Sequence, residues 1–177
     1  MLGFIIRNGK CFSTINPILL LYYAFVRSRL EYASTVWSPY YDVHVAELEC
    51  VQRRFLKYCH FFISGTYPCV GFPHNVLLTE FGVSTLASRR AMQSTAFLAK
   101  IISGEVDCSQ IVNKLIYRVP RPNSRARDTF YLPATRTNLL KQSPLYQMCN
   151  TYNCITDYID IFNDSQSQIR HHSLRPC

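Results

Sequence analysis

The sequence predicts a mainly α chain, an antiparallel helical bundle with an irregular basic C-terminal half, on three observations. Apolar residues recur at steps of three and four through two long stretches before residue 64, the repeat of a helix with one buried face. Prolines and glycines fall where such helices would start and stop. From Lys114 to Lys141 the positive residues Lys114, Arg118, Arg121, Arg125, Arg127, Arg136 and Lys141 face Asp128 alone, and the helical repeat fades.

The first long helix is expected from Asn16 and Pro17, the asparagine as cap and the proline at a position whose N–H has no partner. Its stripe is Leu19, Tyr22, Val26, Leu30, Ala33 and Trp37, with Trp37 a core residue at its end. Pro39 stops it, because the residue before a proline is pushed out of the α region. A second stripe runs Val45, Leu48, Val51 or Gln52, Phe55, and Tyr58 or Cys59. On this helix Glu49 and Arg53 stand four apart in the favourable acid-first order, and Arg53, Arg54 and Lys57 form a wet basic edge. The expected product is a helical hairpin with Trp37 and Phe55 on facing stripes.

Gly65, Pro68, Gly71 and Pro73, set among aromatics, read as a packed loop. Asn75 to Phe81 reads as a short helix stopped at Gly82. Ser84 is expected to cap a longer one reaching Ser103, with Gly104 as its stop. Its packing face is Ala87, Ala91, Ser94 or Thr95, Leu98 and Ile102, with Arg89 and Arg90 pointing elsewhere. Val119 to Leu132 holds two prolines and a β-leaning Thr-Phe-Tyr-Leu run, a basic loop with a short strand. Ser143 and Pro144 start a last helix through about Asn153, and the tail after Phe162 is polar.

Composition bounds the function. The 177 residues are 48% apolar and 14% aromatic, enough to build a core. The net charge of +8 suits contact with a polyanion and equally suits mere solubility. The longest apolar run, Ile18 to Val26, is far short of the ~20 residues of a membrane span, and the N-terminus lacks the order of a signal peptide. An intracellular chain, nuclear or cytoplasmic and not secreted, is expected.

The eight cysteines, Cys11, Cys50, Cys59, Cys69, Cys108, Cys149, Cys154 and Cys177, are scattered without a Cys-x-x-Cys pair, which reads as free buried thiols rather than a disulfide scaffold. Cys149, Cys154, His171 or His172 and Cys177 can be written as zinc ligands, but their spacing is too open for a compact knuckle. Asp157, Asp160 and Asp164 read as surface carboxylates. No metal, no cofactor and no catalytic residue is expected in this chain.

The stretch FVRSRLEYASTVWSPYYDVH, followed by ELECVQRRFLKY, resembles the jockey-like non-LTR retrotransposon reverse transcriptases of animals. Weaker likenesses continue through LLTEFGVSTLASRRAMQSTAFLAKIISGEVDCSQIV, YRVPRPNSRARDTF, RTNLLKQSPLYQMCNTYN and YIDIFN, in the family's order. The resemblance implies the thumb and the segment after it, which follow the polymerase palm. It divides the chain into a thumb-like hairpin region at 1–63, a helical continuation at 64–108 and a basic loop-rich segment at 109–177. MLGFIIRN is similar to an internal thumb segment, which implies a truncated gene model or a decayed element copy. The palm's aromatic-Ala-Asp-Asp turn, which holds two metal ions, has no counterpart, since no Asp-Asp pair exists here.

The implied role is therefore binding and not chemistry. The chain would grip an RNA template and a DNA primer through phosphates, at Arg53, Arg54 and Lys57 and at Arg118, Arg121, Arg125 and Arg127, with Tyr117, Phe130 and Tyr131 offering faces for stacked bases. The palm of the parent enzyme would be its protein partner, and magnesium would belong to that parent. A co-opted helical interaction module, or a pseudogene product without function, is the competing expectation.

Overall fold

The structure, a computed structural model, describes residues 1–119 and 128–163. It is mainly helical, and no β-strand forms among the described residues. The helices are α1 (Leu2–Asn8), α2 (Asn16–Tyr22), α3 (Ser28–Glu31), α4 (Ser34–Trp37), α5 (Asp42–Ser64), α6 (His74–Phe81), α7 (Leu86–Ile102), α8 (Ser109–Val112), α9 (Asn138–Lys141) and α10 (Pro144–Ile155). A 3-10 turn, Gly9–Cys11, follows α1, and a π turn, Tyr23–Arg27, joins α2 to α3. The chain divides into two compact units, Met1–Tyr32 with Pro39–Ala87, and Ala33–Ser38 with Ser88–Cys177. The sequence-expected segment 1–63 is thus shared between them.

The first unit closes around Ile5, Ile18, Tyr22, Val26, Phe55, Leu56, Tyr58, Cys59, Leu77 and Val83. The Tyr22 ring stacks flat on Phe55, with centroids 3.9 Å apart. Its hydroxyl donates to Gln52 Oε1 at 3.3 Å, and Gln52 Nε2 donates to the Ser84 carbonyl at 2.9 Å. Gln52 is fully buried, and the relay gives both ends of its amide a partner, as burial requires. Burial raises the Tyr22 phenol well above its ordinary range. The π turn is held on its outer side by Arg27, whose guanidinium lies 3.9 Å over the Tyr23 ring and 3.7 Å from Glu31.

Several expectations need correction. Asn16 is the first helical residue rather than the cap, which falls on Ile15. The helix expected to reach Trp37 ends at Glu31, because Ala33 adopts the left-handed conformation at φ 50° and the chain restarts as α4. Past that break the stripe loses its register. Ser34 is buried, its hydroxyl donating to Gln93 Oε1 at 2.7 Å, while Ala33 is exposed and Trp37 is 41% exposed. Tyr22, not Trp37, is the aromatic that faces Phe55. The second stripe matches: Val45, Leu48 and Val51 are half-buried and Gln52, Phe55, Tyr58 and Cys59 buried.

α6 ends where Gly82 takes φ 59°, as its sequence suggested. α7 begins at Leu86, leaving Ser84 outside it, and its Ala87 amide donates to Glu49 Oε1, reached across from α5 at 2.8 Å. That carboxylate meets the orphan amides and positive end of the helix together. Along α7 Thr95 and Leu98 are buried and Ala91, Ser94 and Ile102 half-buried, whereas Ala87 is exposed. Arg90 does not point away from the core: it is 3% exposed, because the buried surface of α7 wraps wider than one stripe and takes in Leu86, Arg90, Ala96, Ala99 and Ile101.

The second unit packs Ala96, Leu98, Ala99, Leu115, Phe130, Met148, Cys149, Tyr152, Ile155, Ile159 and Ile161 together. The expected strand is a single antiparallel bridge, Tyr117 to Phe130, flanked by bonds from the Arg118 amide to Thr129 O (2.9 Å) and from the Tyr131 amide to Ile116 O (2.8 Å). Asn153 clamps it: its amide donates to the Phe130 carbonyl at 2.8 Å and accepts from the Phe130 amide at 3.1 Å. Tyr152 does the same for the following turn, its hydroxyl donating to Ile159 O at 3.2 Å and accepting from the Ile161 amide at 3.1 Å. α10 starts as expected, with Ser143 Oγ accepting from the Tyr146 amide and Pro144 first in the helix.

Candidate nucleic-acid interface

α5 is the element that builds the candidate site. Tyr41 is extended ahead of it, Asp42 lies in its first turn, and Gly65 at φ 72° closes it with its amide on the Phe61 carbonyl. With Gln52, Phe55, Leu56 and Cys59 committed to the core, a turn of ~100° per residue leaves Arg53, Lys57 and Arg54 in one arc about 100° wide on the opposite side. Arg53 and Arg54 are exposed and Lys57 is half-buried. No carboxylate among the described residues forms an ion pair with any of the three.

The expected Glu49–Arg53 pair is not made. Glu49 is turned inward, one oxygen on the Ala87 amide and the other 4.0 Å from His74 Nε2. Arg53 stands close enough to His74 to repel its charged form, and with burial as the larger cause the His74 ring is held below its ordinary range. Arg53 is exposed and makes no ion pair with a carboxylate among the described residues.

The second expected cluster stands differently. Arg118 belongs to the other unit and is already paired, its Nη1 2.8 Å from Asp128 Oδ2, with both side chains partly exposed. Arg121, Arg125 and Arg127 lie outside the described residues. Of the three aromatics expected to offer stacking faces, Phe130 is a core residue at 1% exposure, a correction that follows from Asn153 drawing its backbone inward. Tyr117 packs on Phe130 and Phe162, with centroids 5.4 Å and 6.3 Å away, yet is 46% exposed, and Tyr131 is 51% exposed.

The seven described cysteines form no disulfide. Cys59 and Cys149 are buried thiols, pushed up by burial to about 12 and about 11, whereas Cys11, Cys69 and Cys154 are exposed, against the expectation of burial. Among the described residues no group of three or more His, Cys, Asp or Glu could hold a metal ion. Asp160 is a turn cap, accepting from the Phe162 amide at 3.0 Å and from Asn163 Nδ2 at 2.7 Å, which holds its carboxyl below the usual range. Asp164, His171, His172 and Cys177 lie outside the described residues.

Two contacts escaped the sequence reading, Glu49 with His74 and His60 with Glu80, because each joins residues far apart in the chain. Pro73 before His74 was the sole local sign of a helix start there. Among the described residues no helix is long and apolar enough to cross a membrane. The chain matches no protein-family model, no curated protein and no solved structure.

Proposed function

We propose that the outer face of α5 binds the sugar-phosphate backbone of a nucleic-acid duplex without reading its sequence. The observation that carries this is the arc of Arg53, Lys57 and Arg54 on one 23-residue helix, three cations with no carboxylate partner and a core-anchored reverse side. Such charge neutralises phosphates whatever the sequence, and reading bases would need the arginines, which can bond guanine, to be inserted in a groove as well. The chain would then serve as the non-catalytic grip of a larger enzyme, the thumb and post-thumb part of a jockey-like non-LTR reverse transcriptase, holding an RNA template and a DNA primer while the palm carries the metal and the chemistry. In the second unit Arg118, with Arg121, Arg125 and Arg127, would be a phosphate contact of its own once Arg118 exchanges Asp128 for phosphate.

One observation favours a second reading, a helical protein-interaction module. Large apolar side chains stand exposed in each unit, among them Leu20 at 69% and Tyr32 at 80% in the first and Val36 at 73% in the second, and a partner could cover them where they adjoin. Fluorescence anisotropy with RNA–DNA hybrids and DNA duplexes of unrelated sequence separates the two readings. The grip predicts equal affinity across sequences of one length, and a folded chain that ignores all of them contradicts it.

A further inference from the structure

The basic arc of α5 runs into a pair of exposed aromatic rings at the C-terminal end of the helix. At ~100° and ~1.5 Å per residue, Phe61 falls between Lys57 and Arg54 in the arc and about one turn beyond Lys57. It is 40% exposed, while its neighbour Phe62 packs against the first unit's core. Gly65, at φ 72°, then ends the helix. Ser64 Oγ braces the turn that follows, donating to the His60 carbonyl at 2.8 Å and accepting from the Thr66 amide at 3.3 Å, and Pro68 is buried on its far side. Between those anchors Tyr67 stands 61% exposed, with its ring centroid 6.2 Å from that of Phe61. The two rings meet at 53° and so are not stacked on each other.

We propose that Phe61 and Tyr67 form a stacking platform for unpaired bases, so that the α5 face takes nucleic acid where a single strand leaves the duplex. The inference rests on the phosphate-binding reading of Arg53, Arg54 and Lys57 and adds what the end of the arc receives. Inside a duplex each base is covered on both faces by its neighbours, whereas an unpaired base offers a face to an aromatic ring within reach. The cations one to two turns away supply the complementary charge for the phosphates beside that base. An apolar protein surface laid over the rings would also cover Lys57, which has no carboxylate partner among the described residues, and burying that ammonium unpaired would cost free energy. A nucleotide brings a face for the ring and a phosphate for the ammonium together. Stacking tolerates every base, so the platform adds no reading of sequence.

Two RNA–DNA hybrids with the same duplex and the same length of single-stranded extension test it, one extension carrying bases and the other abasic, so that both present the same phosphates. By fluorescence anisotropy the full chain should bind the base-bearing probe more tightly by roughly fivefold to tenfold, the lower part of the range for one stacked base. Phe61→Ala and Tyr67→Ala should each bring that ratio toward one, and Tyr67→Phe, which keeps the ring, should preserve it. Should Phe61→Ala fail to fold, the two Tyr67 variants decide, since that side chain lies outside the helix and is the more exposed. A ratio near one in the unaltered chain, or a ratio that survives either folded alanine variant, overturns the platform and favours a protein contact for the rings. The grip beneath it is read separately, from weaker binding of the abasic probe by the Arg53→Gln, Arg54→Gln, Lys57→Gln variant. Where that weakening is seen and the ratio is near one, the platform fails and the grip stands; where the triple variant keeps its affinity, or neither probe binds, the grip fails and the platform with it.

Discussion

The two units are held by different means. In the first, stacked rings and apolar side chains gathered around the 23-residue α5 make the core, with Tyr22 flat on Phe55 and one relay through Gln52. In the second, side chains of α7 and α10 make the core, and the bridge and turns around them are tied by side chains that bond directly to backbone, Asn153 to Phe130, Tyr152 to Ile159 and Ile161, Ser143 to Tyr146. A long helix buries a periodic face and leaves the other free for charge, so the first unit can carry a basic arc without loss. Where the chain runs outside helices, as around the Tyr117–Phe130 bridge, backbone groups need partners, and polar side chains are consumed as clamps.

The largest effect that would break this contrast comes from Phe55. Truncating Phe55→Ala should cost about 3 to 5 kcal/mol, the range for a large aromatic in a core, whereas Trp37→Ala, at a side chain 41% exposed, should cost well under half as much in the same denaturant melt. Equal costs would mean that Trp37 is packed as the unbroken stripe required. Next comes Asn153→Ala, expected to cost about 1 to 3 kcal/mol because the Phe130 amide and carbonyl lose their partners. Hydrogen exchange should quicken at Thr129 to Tyr131, with the α5 amides unaffected; loosening of α5 instead would show that the clamp is not local.

Cysteine labelling sharpens the same comparison at lower energy. With thiols raised by burial, Cys59 and Cys149 hold almost no thiolate at neutral pH, so maleimide should modify exposed Cys11, Cys69 and Cys154 first. In rising urea Cys59 reports the opening of the first unit and Cys149 that of the second, each by mass. Prompt labelling of either in buffer would contradict its burial. The smallest effect is on Arg53→Ala, which should change stability by less than about 1 kcal/mol, as exposed charges do.

What was legible in the sequence follows the same division. The α5 stripe, the Gly82 and Gly104 stops and the Ser143–Pro144 start are local signals, written within a turn or two of where they act, and the structure has φ 59° and 76° at those two glycines. The break at Ala33 was not legible, since alanine carries no sign of a left-handed residue, and Trp37 was misplaced with it. Glu49 looked like a helix-surface partner for Arg53 and instead caps α7, 38 residues away. Arg90 looked solvated and is buried; Phe130 looked available and is core. Glu49 and Phe130 have their partners, Ala87 and Asn153, remote in sequence, which periodicity does not encode. The basic arc was legible because it is simply the side of α5 that the stripe leaves over.

The claim that this arc is a phosphate-binding face, rather than the ordinary wet side of a helix, is tested most directly by the salt dependence of binding. A fluorescent RNA–DNA hybrid is titrated with the unaltered chain and with the folded Arg53→Gln, Arg54→Gln, Lys57→Gln triple variant from low to moderate salt. Three neutralised phosphates at about −0.9 each predict that the log–log slope flattens by roughly 2.7 in the variant, with affinity lost alike for every duplex sequence because no base contact is touched. A triple variant that keeps both the affinity and the slope of the unaltered chain would contradict the account.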